Sequence, residues 1–105
     1  MAERALVHFL PKLRPSAALL PLDAPIYEQL TKIEGVLLRY FQIHANEVVS
    51  SEQLLAEVWK RPDSSPRRVQ EAIRRLRMEL EEASPPVGSI ENERGQGYRF
   101  VPATN

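Results

Sequence analysis

Five arginines fall between Pro66 and Met78, at positions 67, 68, 74, 75 and 77, with one glutamate, Glu71, and no lysine among them. A guanidinium is planar, permanently charged and carries a fork of donors that fits phosphate oxygens and the N7/O6 edge of guanine, so this density points to recognition of an anionic partner. At about 100° per residue, Arg67, Glu71, Arg74 and Met78 fall in one row, with Arg75 beside it and Arg68 and Arg77 on its shoulders. A further arginine, Arg94, opens the stretch Arg94-Gly95-Gln96-Gly97, where the two glycines permit positive φ and a tight bend that carries Arg94 near its tip. Other chemistries are poorly supplied. With no cysteine and two histidines, His8 and His44, thiolate and histidine-cluster metal sites are excluded. Tyr27, Tyr40, Tyr98, Ser50 and His44 form no nucleophile–base–orienter set, and catalysis is not expected.

The arginine stretch needs a helix, and its flanks supply one. Ser65 can accept from the open N–H groups of a first turn, and Pro66 suits the first helical position. Val69, Ile73, Leu76 and Leu80 recur at four, three and four, which defines a narrow buried seam opposite the arginine row. Upstream, Thr31 with Glu34 and Ser50 with Gln53 have capping-box spacing, predicting helices that begin near residues 32 and 51. In the first, Ile33, Val36, Leu37, Tyr40 and Phe41 are expected inward, with Glu34, Arg39 and Gln42 toward water. In the second, Leu54, Leu55, Val58 and Trp59 are expected inward, with Trp59 protected, and RPDSSP ends the helix. Val48 and Val49 make a minimal extended segment. After Pro85 and Pro86 the period changes, and Ile90, Asn92, Tyr98 and Phe100 alternate as in a hairpin whose tip lies at Arg94 to Gly97.

At 105 residues the chain is one domain with a modest core. Its 14 basic and 14 acidic residues balance, which argues against indiscriminate coating of nucleic acid or membrane; a basic patch beside the acidic Glu79, Glu81 and Glu82 instead orients the molecule in a phosphate field. The start of the chain has only short apolar runs interrupted by proline, without the ~20 apolar residues of a membrane span, and a cytoplasmic location is expected. Residues 1–29 read as short edge strands or a loose arm of the same domain, and residues 30–105 as its core. His8, in an apolar run, reads as a packing residue.

Helix, short capped helix, loop, basic helix and hairpin is the order of an α+β winged helix-turn-helix. Residues 48–59, VVSSEQLLAEVW, residues 67–80, RRVQEAIRRLRMEL, and residues 94–100, RGQGYRF, resemble the strand and second helix, the recognition helix and the wing of the DNA-binding effector domains of OmpR/PhoB-class response regulators. The resemblance covers residues 30–101 and implies a short antiparallel sheet where residues 5–27 stand. It also implies sequence-specific binding of double-stranded DNA by a transcriptional regulator, with helix 66–80 in the major groove and the wing near the minor groove. The residues then expected at DNA are Arg67, Arg68, Gln70, Glu71, Arg74, Arg75, Arg77 and Arg94. Arg67 and Arg74 are placed to read bases, Arg77 to hold phosphate or pair with Glu81, and Arg94 to enter the minor groove. Glu71 departs from the family pattern and either reads a cytosine amino group or weakens phosphate attraction; Ala72 replaces a larger polar residue, and Glu93 adds negative charge beside the wing arginine. The resemblance implies no cofactor. It implies a free monomer that pairs on repeated sites, with RNA polymerase or another regulator as a further partner; the loop at 60–65, lacking the usual glycine, is a poor polymerase contact. The alternative is a winged helix that uses the same arginines to contact an acidic protein.

Overall fold

The structure, a computed structural model, describes residues 19–103. A 3-10 turn, Pro25–Gln29, leads into α1, Lys32–Ile43; the strand β1, Val48–Val49, follows, and then α2, which starts as an α-helical turn at Ser51–Leu54 and continues as a π-type turn at Leu55–Trp59. The long helix α3, Pro66–Glu82, precedes a hairpin of β2, Gly88–Glu93, and β3, Gly97–Pro102. This is the expected α+β architecture of three helices and a C-terminal hairpin. The three helix starts fall where the capping residues placed them.

The caps differ in detail. Thr31 Oγ1 accepts from Glu34 N at 3.2 Å and Glu34 Oε1 accepts from Thr31 N at 3.1 Å, a complete reciprocal box. At α2, Ser50 Oγ accepts from Gln53 N at 3.0 Å, but the Gln53 amide donates to the Tyr40 hydroxyl at 2.8 Å instead of returning to Ser50. The second box is therefore half made, and its free half ties α2 to α1. Ser65 Oγ accepts from Arg67 N at 3.2 Å, with Pro66 in the first position of α3.

The core is the meeting of three helical seams with one face of the sheet. Val69, Ile73, Leu76 and Leu80 are buried as their spacing predicts, and Ala72 joins them. They pack with Leu37, Leu38 and Phe41 of α1, with Leu54, Leu55 and Val58 of α2, and with Val49, Ile90 and Phe100 of the strands. Phe41 and Phe100 face each other at 6.3 Å between ring centroids, within the range of favourable aromatic pairs. Trp59 is half-buried against this cluster.

The inward face of α1 differs from the expected one. Its buried arc is Glu34, Leu37, Leu38, Phe41 and Gln42, while Val36 and Ile43 are exposed. Spacing of three and four still governs that arc; the polar residues that close its two ends are each bonded through one oxygen, while Glu34 Oε2 and Gln42 Nε2 have no hydrogen-bond partner among the described residues. Glu34 has its cap, and Gln42 Oε1 accepts from Leu20 N at 3.2 Å. Arg39 also donates to the Leu20 carbonyl, so residues near 20 are strapped along α1. Within the described residues before α1, the structure has turns and the 3-10 helix with Ile26 buried, and no strand. The remainder of the expected N-terminal sheet, and His8, lie outside the described residues.

The sheet has order β1-β3-β2, all antiparallel. The hairpin foreseen as two strands thus gains a third, with Val48 opposite Arg99 and Val49 opposite Tyr98. Two glycines make this possible. Gly95, with φ +74, supplies the left-handed residue of the bend, and Gly97, with φ +144, lies so close to β1 that a Cβ there would stand 2.1 Å from the Val49 carbonyl oxygen.

Candidate nucleic-acid interface

Amphipathic spacing turns the apolar seam of α3 inward and leaves Arg67, Arg68, Gln70, Glu71, Arg74, Arg75 and Met78 exposed on the opposite side, with Arg77 half-buried. Arg94 is exposed at the hairpin bend. Arg67, Arg68, Glu71 and Arg75 line one shallow groove with Trp59, Ile33 and Ala72. Arg94 lines another, between the bend, Ser51 and Glu52 of α2 and Pro66 at the start of α3. The wing tip and the first turn of α3 therefore share one concavity. Among the described residues no helix is long and apolar enough to cross a membrane, and no group of three His, Asp or Glu side chains is placed to hold a metal ion.

The arginines have unequal surroundings. Arg67, Arg68 and Arg94 make no side-chain hydrogen bond or ion pair among the described residues. Arg74 donates to Glu71 Oε1 at 3.2 Å, both side chains more than half exposed, a pair of the kind worth under about 1 kcal/mol. Glu71 thus aligns Arg74 along the row and does not bind Arg67 or Arg75 here. Arg75 stands 3.6 Å from Glu34 Oε2, whose side chain is only 4% exposed while that of Arg75 is 55% exposed. The second oxygen of the carboxylate that caps α1 accepts no hydrogen bond among the described residues, and the Arg75 guanidinium of α3 is the counter-charge that faces it.

Arg77 departs most from expectation. It does not reach Glu81; its Nε donates to the Ile90 carbonyl at 3.1 Å and its terminal nitrogen donates to Asn92 Oδ1. Glu93 is also differently placed. Arg99 donates to it from Nε at 3.1 Å and from the terminal nitrogen at 2.8 Å, so the carboxylate beside the wing tip already carries a counter-charge. Ala72 is buried at the edge of the core seam, at the floor of the groove beside Arg68 and Arg75, so a larger polar residue there would have to be accommodated in packing. Sequence reasoning passed over Glu34 and Asn92 as functional supports. For Asn92 a signal existed, because alternation puts it on the same face of β2 as the buried Ile90, toward α3. For Glu34 the capping box identified one oxygen and nothing identified the other's partner.

Comparison with known proteins agrees with this geometry. Residues 27–100 match the family described as transcriptional regulatory protein, C terminal. The chain is 39% identical over 67 residues to the transcriptional regulatory protein YvrH of Bacillus subtilis strain 168; the match covers 63% of this chain and 28% of that protein. Among solved structures, the DNA-binding domain of E. coli CadC superposes with a TM-score of 0.60 at 33% identity, covering 70% of each chain. The DNA-binding domain of the response regulator AdeR, in complex with an intercistronic region, superposes with a TM-score of 0.61 at 25% identity, covering 71% of this chain and 78% of that one. The module is regulatory and not a catalytic fold, and the chain belongs to the winged helix-turn-helix DNA-binding effector domains of the OmpR/PhoB-like response-regulator family.

Proposed function

We propose that the domain recognises specific duplex sequences as a transcriptional regulator, with α3 in the major groove and the Arg94 bend at the flanking minor groove. The observation that carries this reading is the shared concavity of the wing tip and the first turn of α3, beside an exposed arginine row. A helix fits the major groove, and arginines there serve both guanine edges and phosphates. Arg67 and Arg74 stand at the centre of the row and read bases. Glu71, held beside Arg74, is set to accept from a cytosine amino group once Arg74 turns to its own base. Arg68, at the shoulder, serves phosphate, and Gln70 lies on the opposite flank, where its amide suits an adenine edge. Arg94 enters the minor groove, whose negative potential is strongest where A/T tracts narrow it.

One small module makes few contacts, so the domain binds as a monomer in free solution and more tightly on repeated sites, where neighbours add contacts. It acts in the cytoplasm, where duplex targets are available. RNA polymerase contact is a weaker part of this reading, because the short loop at 60–65 offers it little surface. Selection from randomised duplexes followed by titration at two salt concentrations tests the proposal. The expected result is one enriched sequence and a logarithmic affinity that falls steeply with salt, with a slope near 0.9 per phosphate contact. Salt-independent affinity, or no enrichment, would overturn it and leave an acidic protein as the partner of the arginine face.

A further inference from the structure

We propose that Arg77 is a positioning residue which fixes the wing against α3, so that Arg94 meets DNA in register with the recognition helix, and that it makes no phosphate contact of its own. The inference deepens the reading of Arg94 as a groove contact and rests on it. The base of the wing is held by burial, through Ile90, Phe100 and the pairing of β3 with β1. Beyond Ile90 the outer strand β2 leaves the core, with Glu91 and Asn92 exposed, while β3 is still held on its other side by β1, through Tyr98 and the close approach of Gly97 to Val49. The Arg99–Glu93 pair stiffens the hairpin internally but reaches no helix.

Arg77 ties that outer strand directly to α3. Its Nε holds the Ile90 carbonyl at the last buried point of β2, and its terminal nitrogen holds the Asn92 side chain two residues nearer the tip. Two donors of one planar guanidinium, fixed to two points along one strand, set the angle of that strand and not just its distance from α3. A hairpin pivots about the last point at which it is held. On the β2 side Arg77 moves that point from Ile90 to Asn92, level with the Tyr98–Val49 pairing that holds the β3 side. These two bonds fix the guanidinium on β2, so a phosphate could be met only by the donors left over and only where that fixed orientation aims them.

The test uses the full chain on two duplexes, the selected site with an A/T flank and the same site with a G/C flank. Arg77→Ala and Asn92→Ala are expected to lose affinity by about tenfold on the A/T-flanked duplex, with little change on the other, as for groups coupled through one contact network. Arg94→Ala should cause no further loss once Arg77 is replaced, and the salt slope on the G/C-flanked duplex should equal that of the unmodified protein. Equal weakening on both duplexes, with a slope lower by about one contact and an undiminished effect of Arg94→Ala, would overturn the proposal in favour of phosphate binding. Asn92→Ala keeps the test decisive where Arg77→Ala fails to fold. If Arg94→Ala leaves the unmodified protein's affinity untouched, the minor-groove reading has failed, and the free protein decides the positioning role: backbone order parameters at residues 94–97 should fall in Asn92→Ala, and unchanged values there would end it.

Discussion

The two halves of α3 carry the same side chain to opposite ends. Arg67 and Arg68, in the first turn, make no side-chain bond among the described residues. Arg75 and Arg77, two turns later, are engaged by the scaffold, one beside the buried Glu34 of α1 and the other on Ile90 and Asn92 of β2. Arg74 stands between them with only the exposed Glu71. In a domain this small the arginine-bearing helix is also the central beam, since α1, α2 and β2 all pack on it. Whether an arginine on that beam is available to a ligand is decided by what lies across from it, and not by its place in a run of charge.

The largest effect expected from this contrast is on stability. Arg75→Ala strands a carboxylate that is 4% exposed, and the loss should be about 2–3 kcal/mol, below that of fully enclosed pairs because water reaches the Arg75 head. Adding Glu34→Gln should recover most of it by removing the stranded charge. Urea unfolding of the two variants measures this, and a loss under about 0.5 kcal/mol for Arg75→Ala would erase the distinction between the halves. Next, Arg67→Ala and Arg74→Ala should each cost about 1–3 kcal/mol of binding on the preferred duplex, relax selection at one base pair, and leave the unfolding midpoint in place. The reverse pattern, with folding weakened and every duplex affected alike, would assign Arg67 to the scaffold.

Smaller effects sharpen the same contrast. The turn at the end of α2 delivers the first half of α3, and Lys60 closes that helix with φ 59, a left-handed conformation that disfavours a side chain. Lys60→Gly should raise stability by about 0.5–1 kcal/mol, the relief of strain exceeding the entropy of a freer unfolded chain. It should leave base selection as it was. Glu71→Ala should change stability by less than about 0.5 kcal/mol, because the Arg74 pair is exposed, while altering preference at a single base pair. A stability loss comparable to that of Arg75→Ala would show that exposure is not what separates the two pairs.

The legible part of the fold is the part set by local rules. The cap at Ser65, the seam through Val69, Ile73, Leu76 and Leu80, and the glycine bend at 95–97 each depend on residues a few positions apart. Polarity does not orient the arc of α1: Glu34 and Gln42 belong to the buried side, and the groups that face them, Arg75 and Leu20, lie far away in sequence. The same limit applies to the site. The arginine face and Arg94 could be placed from spacing alone, whereas the commitments of Arg75, Arg77 and Glu93 depend on contacts between elements. Pairing of β1 with β3 was likewise hidden, since two valines carry no register of their own until Gly97 lets the strands meet.

The order β1-β3-β2 also bears on how the domain tolerates crowding. Among the described residues the three-stranded sheet has two open edges, each a template on which another chain's strand could add. On one side the edge is β1, two residues long, too short to hold a foreign strand. On the other it is β2, six residues long, where the Arg77 guanidinium already occupies the Ile90 carbonyl. Copies brought side by side at high concentration thus meet with these edges blunted, and Arg77→Ala, by uncovering β2, should raise light scattering in concentrated solutions of the folded protein.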